Sequence, residues 1–429
     1  MRLAAKIQSF SELARAKLAT NAGVVAAGNA GRLLLQSALF IVVARMLGAA
    51  DYGAFISVTA LVAIISTFAG LSCEIVLVKN VSRDSGKLPA YFGGGLLSLA
   101  LTPPVRVVVS VFAVSFVSGA HISWPLIAII AVGDLFFLRV NLLCAACYQA
   151  LDRVHKSAIL NIGFSAGRLL AALLATLTVK NLDIAHWAYF YAGGAAAAAI
   201  ASCIWVVSDF GMPKWFFAKE DLHFGFHSSM QSTLYFLLRD IDKPLLSRLA
   251  TLHAAGIYAA AFRVADASIV PVRALMYAAY ARFFRHGRRG IRRSSDFALR
   301  LLPFGLAYGL MAGVGIELFS FVLPKILGRQ YAESAEMLRI FGILPTLHAA
   351  YNIGGDALTV SGHQSSRTRV QACSAGLMIV LCFVLIPRYG VFGAAIANMF
   401  CHGVMAAAMW TVVLFRRQRD VECEASAVP

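Results

Sequence analysis

The sequence predicts an all-α polytopic membrane protein with about twelve transmembrane helices, and three observations support this fold class. The mean hydropathy is +0.74, and only 14% of the 429 residues are charged, against about a quarter in soluble domains. Apolar stretches of about 20 residues, the length that crosses a bilayer, recur along the whole chain. Cationic residues cluster in alternate connections between these stretches, as they do in multi-pass proteins.

Hydropathy places the predicted spans one after another with short connections. They lie at residues 22–46, 53–78, 90–118, 123–149, 155–179, 184–208, 225–249, 254–281, 297–324, 334–360, 367–387 and 391–415. The domain prediction follows from these limits. It comprises an interfacial amphipathic helix at 1–20, an N-terminal six-helix lobe at 21–208, a cytoplasmic interfacial linker at 209–224, a C-terminal six-helix lobe at 225–415 and a cytoplasmic tail at 416–429.

The loop charges predict the orientation. With the N-terminus inside, the cytoplasmic segments hold 22 Lys and Arg residues and the opposite loops hold six. This bias follows the positive-inside rule and puts both termini in the cytoplasm. The six arginines between Arg282 and Arg293 then face anionic lipid headgroups, so the formal charge of +17 does not indicate nucleic-acid binding.

The two halves of the chain resemble each other. VVARMLGAADYGAFISV at 42–58 resembles PLLSRLATLHAAGIYAAAFRV at 244–264. LLCAACYQALDRVHKSAI at 142–159 resembles NIGGDALTVSGHQSSRTRV at 352–370. Because both pairs are offset by about six helices, the sequence predicts a parallel repeat of two six-helix bundles, as in repeat-built transporters.

Charged residues inside the predicted spans point to an anionic ligand. Each costs at least about 2.5 kcal/mol at the bilayer centre, so such residues persist where they face a wet cavity or a protein partner. The cations are Arg32, Arg106, Arg139, Arg168, Arg239, Lys243, Arg263, Arg273, Arg300 and Arg339; the acids are Glu74, Asp134, Asp240, Asp242, Asp266, Glu317 and Asp356. The surplus of cations favours an anion, and arginine binds phosphate or carboxylate with two parallel hydrogen bonds.

Two arginines are the strongest candidates for ligand contacts. Arg32 and Arg168 lie in mid-span, each with polar neighbours on the same helical face and no acid close in sequence. Arg139 is a further candidate.

The charged quartet 239–243 admits two interpretations. Arg239 with Asp242, and Asp240 with Lys243, are i,i+3 neighbours that could neutralise each other or handle a ligand. Buried carboxylates can also couple transport to protonation or sodium binding. The candidates for ion coupling are Asp240, Asp242, Asp266, Asp356 and Glu74.

No motif in the sequence indicates catalysis, a cofactor or a metal. Loops do not exceed about 16 residues, which leaves no room for a catalytic domain outside the membrane. Cys144 and Cys147 form a C-x-x-C on a predicted span without a second ligand pair, so they are expected in the helical core. We therefore expect no enzyme, no cofactor and no metal site.

Taken together, the repeat, the segments ARMLGAADYGAFISV and AAGIYAAAFRV, and IPRYGVFGAAIAN at 386–398 give the chain a family resemblance. It resembles the bacterial Wzx-type polysaccharide flippases of the superfamily that also contains the MATE multidrug exporters and the lipid II flippases. The resemblance implies two six-helix lobes in a MATE-like V shape around a cationic cavity. By residue type and helix, that cavity maps onto Arg32, Arg168, Arg239, Lys243 and Arg263.

The resemblance further implies a function in the bacterial cytoplasmic membrane. The protein would move an undecaprenyl-diphosphate-linked oligosaccharide from the inner to the outer leaflet by alternating access, for O-antigen, capsule or exopolysaccharide export. Membrane lipids, a polysaccharide polymerase and chain-length proteins are the expected partners. Two alternatives stay open: a cation-coupled drug or metabolite antiporter, and a membrane-embedded glycan polymerase or ligase.

Overall fold

The computed structural model describes residues 2–119, 122–180, 182–215, 219–273, 275–276, 279, 283 and 290–426. Every regular element within these ranges is a helix, which confirms the all-α prediction. The six-arginine run lies largely outside the described residues, since of its members only Arg292 and Arg293 are described.

The first half of the chain forms eight α-helices. They are α1 (Arg2–Ser66), α2 (Cys73–Val81), α3 (Leu88–Leu101), α4 (Pro103–Val117), α5 (Trp124–Val132), α6 (Arg139–Ala150), α7 (Val154–Thr178) and α8 (Ile184–Phe210). A π-helical segment, Gly133–Leu138, joins α5 to α6. Helix α1 begins at Arg2 and shows no break before Gly48, where φ is 74°.

The second half also contributes eight described α-helices. They are α9 (Leu222–Asp240), α10 (Asp242–Leu249), α11 (Leu252–Ser268), α12 (Ile291–Phe319), α13 (Val322–Leu327), α14 (Ser334–Ile340), α15 (Leu344–Val360) and α16 (Gln364–Ser426). Helix α16 bends at Gly390, where φ is 55°.

Several described helices are long and apolar enough to cross a membrane, so the chain is a multi-pass membrane protein. By length and composition seven qualify, or eight if the bent pair Ser85–Leu101 and Pro104–Val117 forms one span. Two of the seven, Ala27–Ser66 and Gln364–Asp420, have 40 and 57 residues, which at 1.5 Å per residue is about twice the hydrocarbon thickness or more. The total of twelve spans and the cytoplasmic termini remain predictions.

The chain divides into two compact units. Unit 1 consists of Met1–Met46, Ile65–Phe112 and Ser123–Met230, and unit 2 of Leu47–Ile64, Ala113–Ile122 and Gln231–Pro429. Short segments 47–64 and 113–122 from the first half of the chain thus belong to unit 2. The domain limits derived from the sequence remain predictions.

Within unit 2, the two copies of the first repeated motif pack against each other. Gly53 and Gly256, the glycines that the two motifs share, lie where backbone meets backbone. A Cβ at Gly53 would collide with the carbonyl oxygen of Leu252, and one at Gly256 with that of Ala49. Only glycine permits this approach, which is typical of helix contacts in membranes.

Adding one methyl group at this contact should destabilise the protein. We expect Gly256→Ala to lower the free energy of unfolding by about 1–3 kcal/mol, because the backbone must shift to admit the Cβ. The unfolding temperature of the purified protein in detergent measures the effect. Gly163→Ala on α7, where a Cβ meets no atom within 4 Å, is the matched control and should leave that temperature nearly unchanged.

The second and the seventh predicted spans are broken rather than continuous. In the second span, α1 ends at Ser66 and α2 begins at Cys73, and three consecutive residues between them, Gly70, Leu71 and Ser72, have φ between 48° and 65°. In the seventh span, α9 ends at Asp240, four residues before Pro244. In a regular helix the proline ring would clash with the carbonyl group of Asp240, so the helix is interrupted there. Broken helices expose backbone groups inside a membrane protein where protein partners satisfy them.

The connection between the two halves is held to unit 1 by a carboxylate. Asp221 accepts hydrogen bonds from Lys79 Nζ at 3.0 Å, Asn80 Nδ2 at 2.9 Å and the Tyr91 hydroxyl at 3.0 Å. Burial raises the pKa of Asp221, but the bonds from Lys79, Tyr91 and Asn80 together lower it below its ordinary value. The interfacial linker predicted at 209–224 lies partly outside the described residues, which omit 216–218.

This carboxylate should make stability pH-dependent. A depressed folded-state pKa stabilises the protein fully above the unfolded-state pKa of about 3.9, and the stabilisation disappears as the pH falls through the folded-state value. We expect Asp221→Asn to cost about 1–2 kcal/mol at pH 7 and progressively less below about pH 4. Unfolding temperatures of both proteins between pH 7 and pH 3 measure this, and a difference that does not shrink contradicts it.

Candidate functional site

In unit 1, the predicted residues Arg139 and Glu74 form a buried ion pair. Arg139 Nη1 lies 2.8 Å from Glu74 Oε1 and joins α6 to the start of α2. Its Nη2 also donates to the Ser66 hydroxyl at 3.3 Å. The Arg139 residue is 8% exposed, so this pair braces the break between α1 and α2.

Arg168, another predicted ligand-contact residue in unit 1, lies against a carboxylate and an aromatic ring. Its Nη2 is 3.6 Å from Asp134 Oδ1, and its guanidinium carbon lies 3.9 Å from the centre of the Tyr191 ring. Tyr191 in turn donates to the same Asp134 oxygen at 2.7 Å. Asp134 belongs to the π-helical segment, and such segments often mark functional positions. Arg32 is half-buried on α1.

Unit 2 contains a cavity of about 140 Å³ between its helices. Aromatic and aliphatic side chains form part of its wall, including Tyr235, Phe262 and Tyr351. The charged and polar residues that line it are Arg239, Arg273, Arg367, Asp266, His348, His402, Asn352 and Gln371. Three arginines against one carboxylate give this lining an excess of positive charge.

Asp266 on α11 bridges two of these arginines. Its Oδ2 lies 2.7 Å from Arg239 Nη2, and its Oδ1 lies 2.6 Å from Arg273 Nη2. One carboxylate therefore bridges two guanidinium groups, one through each of its oxygens. Arg263, on the same helix, is half-buried.

The third arginine of the cavity lining, Arg367, also pairs with a carboxylate of the protein. Arg367 Nη1, in the first turn of α16, donates to Asp356 Oδ1 at 2.8 Å and to the Thr359 hydroxyl at 2.9 Å. This brings the predicted residue Asp356 beside the cavity, which it does not itself line.

Two histidines of the lining are held by contacts within their own helices. Asn352 Nδ2 donates to the carbonyl oxygen of His348 at 2.9 Å and also lies 2.9 Å from Nδ1 of the His348 ring. His402 Nδ1 lies 2.8 Å from the carbonyl oxygen of Asn398 and must carry its proton, since a carbonyl only accepts. Both rings contact Tyr351, with centroid distances of 4.8 Å and 5.7 Å.

A second ionic cluster of unit 2 has its centre, Lys243 and Asp242, sealed in the core, while its Asp240 side chain is 15% exposed. Lys243 Nζ lies 3.0 Å from Asp240 and 3.1 Å from Asp242, and it also donates to the carbonyl oxygen of Arg239 at 2.7 Å. Asp242, with no exposed surface, also accepts from the Tyr258 hydroxyl and from Asn398 Nδ2. The pairing of Asp240 with Lys243 thus occurs, whereas Arg239 pairs with Asp266 and not with Asp242.

The chain matches one known protein family. A model described as polysaccharide biosynthesis protein matches residues 18–285. The chain belongs to this family. No curated protein sequence matches it.

Solved structures show the fold of this family member. A multidrug resistance MATE family transporter of the MOP superfamily, in an inward-facing conformation, has a TM-score of 0.74 and 14% sequence identity, covering 92% of this chain and 96% of its own. Lipid II flippase MurJ, in an inward closed conformation, has a TM-score of 0.69 and 11% identity, covering 90% and 86%. The predicted MATE-like fold is therefore confirmed.

A third solved structure comes from Pyrococcus furiosus. It is a MOP superfamily transporter whose published description reports a reversed polarity of the binding pocket that suggests a different function. Its TM-score is 0.64 with 12% identity, covering 94% of this chain and 95% of its own. At this level of identity the likeness concerns the fold alone.

The structure adds residues that the sequence did not single out as a site. Arg367 is the first residue of the predicted span 367–387 and is counted among the cytoplasmic loop charges, yet it lines the cavity of unit 2. Arg273 has no acid within four residues, but Asp266 lies seven residues earlier on the chain and pairs with it. His348 and His402 carry no sequence motif. The sequence did contain one indication of the position of Arg367. The short turn at 361–363 returns α16 alongside the end of α15, and this brings Arg367 next to Asp356.

Proposed function

We propose that this protein is a flippase for a lipid-linked oligosaccharide, moving the undecaprenyl-diphosphate-linked glycan from the inner to the outer leaflet of the bacterial cytoplasmic membrane. The single observation that carries the proposal is the cationic cavity of unit 2. Within the membrane domain, three arginines converge on 140 Å³ of space with one lining carboxylate. Guanidinium groups so placed bind phosphate oxygens through charge-assisted hydrogen bonds.

The family supports the same substrate class. Polysaccharide biosynthesis in the family description calls for a carrier that takes glycan across a membrane, and the structural neighbours include a lipid II flippase and multidrug transporters. In the proposed cycle, Arg239, Arg273 and Arg367 hold the diphosphate, the lipid tail stays in the bilayer, and alternating access exposes the headgroup to the outer leaflet. Arg32 and Arg168 in unit 1 are further candidate contacts for the headgroup.

The aromatic side chains suit the sugar end of such a ligand. Tyr235 and Tyr351 line the same cavity as the arginines, together with the amides of Asn352 and Gln371. Rings and amides of this kind pack against sugar faces and hydrogen-bond to hydroxyl groups. The cavity therefore offers separate groups for phosphate and for carbohydrate.

A cation-coupled drug antiporter is the second candidate function. The observation that favours it is the high similarity of fold to a multidrug transporter, with a TM-score of 0.74. A pocket for cationic drugs, however, gains from a surplus of acids, whereas the arginines of this cavity outnumber its acids.

Depletion of the protein in cells distinguishes the two functions. We expect a lipid-linked oligosaccharide to accumulate on the inner leaflet and surface polysaccharide to disappear, measured by leaflet-selective labelling of the glycan. Sensitivity to cationic dyes should stay unchanged. Loss of dye resistance with normal surface polysaccharide would replace the flippase proposal with the antiporter.

A further inference from the structure

We infer that Asp266 is an exchangeable internal counter-ion that occupies the anion site of the unit 2 cavity, so that a polyanionic phosphate group is admitted and a monocarboxylate is excluded. This inference rests on the proposed function and identifies a residue that sets its substrate selectivity.

The bridge made by Asp266 has the form of a bound anion. Its two oxygens each accept from a different arginine, at 2.7 Å from Arg239 and 2.6 Å from Arg273. A phosphate group offers oxygens with the same spacing and more charge, and guanidinium groups bind carboxylate and phosphate with the same donor geometry. Asp266 therefore holds the place that a substrate phosphate would take.

Without an anion, this place could not stay empty. Two guanidinium groups in a site of low dielectric repel each other and lose hydration, and both effects favour a nearby carboxylate. Asp266 supplies one negative charge for two positive ones, so the group of three keeps a net positive charge. A ligand with two or more charges neutralises it better than Asp266 does, whereas a ligand with one charge gains nothing over Asp266.

Contact with the cavity separates this bridge from the second ionic cluster of the same unit. Asp266, Arg239 and Arg273 all line the cavity, and the side chains of the two arginines are 27% and 38% exposed. Asp242 has no exposed surface, is held by Lys243 among other partners, and does not line the cavity. A ligand in the cavity can therefore reach Asp266 and exchange with it, but it cannot reach Asp242.

Arg239 has hydrogen-bonding capacity to spare. Its Nε is buried and, within the described part of the chain, has no hydrogen-bond partner. An unpaired buried donor is costly. A phosphate with several oxygens can accept from this Nε and from Nη2 together, which Asp266 does not do in its present position.

The test measures anion binding by the purified full-length protein in lipid nanodiscs. Inorganic pyrophosphate is the polyanionic probe and glucuronate the monocarboxylate probe, each titrated against the wild type and Asp266→Asn. We expect the wild type to bind pyrophosphate and not glucuronate at equal concentration. Asp266→Asn should bind pyrophosphate about tenfold more tightly and should gain binding of glucuronate, because the competing charge is gone.

Three further variants complete the binding test. Asp296→Asn removes a carboxylate that pairs with Arg417 at 2.7 Å and does not line the cavity, so it should bind both probes as the wild type does. Arg239→Gln should lose pyrophosphate binding. Asp266→Ser is the second variant, since its smaller hydroxyl needs no extra space if the asparagine variant does not fold.

Each of the following results would contradict the counter-ion inference. If pyrophosphate binds the wild type through Arg239 but no more tightly in Asp266→Asn, the counter-ion inference fails while the proposed function stands. If neither the wild type nor Asp266→Asn binds pyrophosphate, both the inference and the proposed phosphate site fail. If neither Asp266 variant folds, the bridge is a fixed part of the fold, and the inference is wrong.

Discussion

Replacing Arg239 with glutamine is expected to abolish export of surface polysaccharide while the protein remains in the membrane. The guanidinium of Arg239 lines the cavity and holds Asp266 at 2.7 Å. Loss of a charge-assisted hydrogen bond to a phosphate costs about 1.5–3 kcal/mol, which lowers headgroup affinity about ten- to a hundredfold. Arg273→Gln should act in the same way. Surface glycan, quantified against the protein level in the membrane fraction, is the measurement.

A matched arginine separates this effect from the loss of any intramembrane charge. Arg300 lies on α12 in the same unit, is exposed and does not line the cavity. Arg300→Gln should export glycan at the wild-type rate. Normal export by both Arg239→Gln and Arg273→Gln, at normal protein levels, would show that the cavity does not take part in transport.

Replacing Lys243 with methionine should strongly destabilise the protein. The substitution strands Asp242, which has no exposed surface, without the cation that lies 3.1 Å away. Breaking a buried ion pair by removing one partner costs about 3–5 kcal/mol, a large fraction of the stability of an ordinary domain. The yield of monodisperse protein after extraction in detergent, and its unfolding temperature, measure the loss.

The double variant tests whether the stranded charge is the cause. Asp242→Asn combined with Lys243→Met removes both charges, and the amide can still accept from Tyr258 and Asn398, which bond Asp242 in the wild type. It should recover a substantial part of the yield. Lys180→Met, at an exposed position, is the control for loss of a lysine. A double variant as unstable as Lys243→Met would show that packing around the lysine, rather than charge, governs this site.

Hydropathy predicted the helical membrane fold because it is a local property of the chain. Apolar stretches of sufficient length can satisfy their backbone groups inside a bilayer only as helices when they are not part of a closed barrel. The repeat predicted from 42–58 and 244–264 stays a prediction. Its shared glycines Gly53 and Gly256 do meet at backbone contact distance. The interruptions of the spans were harder to predict. Pro244 signals the break after Asp240, and Gly70 lies within the other break, but Leu71 and Ser72 have positive φ although neither is a glycine.

The candidate site was predicted in part. The sequence placed Arg239 and Asp266 among the candidate residues, and the structure brings them together in one cavity with Arg273 and Arg367. It also ranked Arg32 and Arg168 highest because neither has an acid close in sequence. For Arg168, an acid 34 positions earlier in the chain, Asp134, lies 3.6 Å away in space. Proximity in sequence is therefore a poor guide to whether an intramembrane charge is neutralised.

By itself, the sequence determined that this protein is a helical multi-pass membrane protein, and it predicted two related halves with more cations than acids inside the spans. These properties follow from the order of apolar and charged residues along the chain. Only the tertiary structure decided which charges pair. Arg239 bonds an aspartate 27 residues away, and Asp242 bonds an asparagine 156 residues away. Such partners depend on which faces of distant helices meet, so the difference between the sealed cluster and the open cationic cavity appears only once the helices are packed.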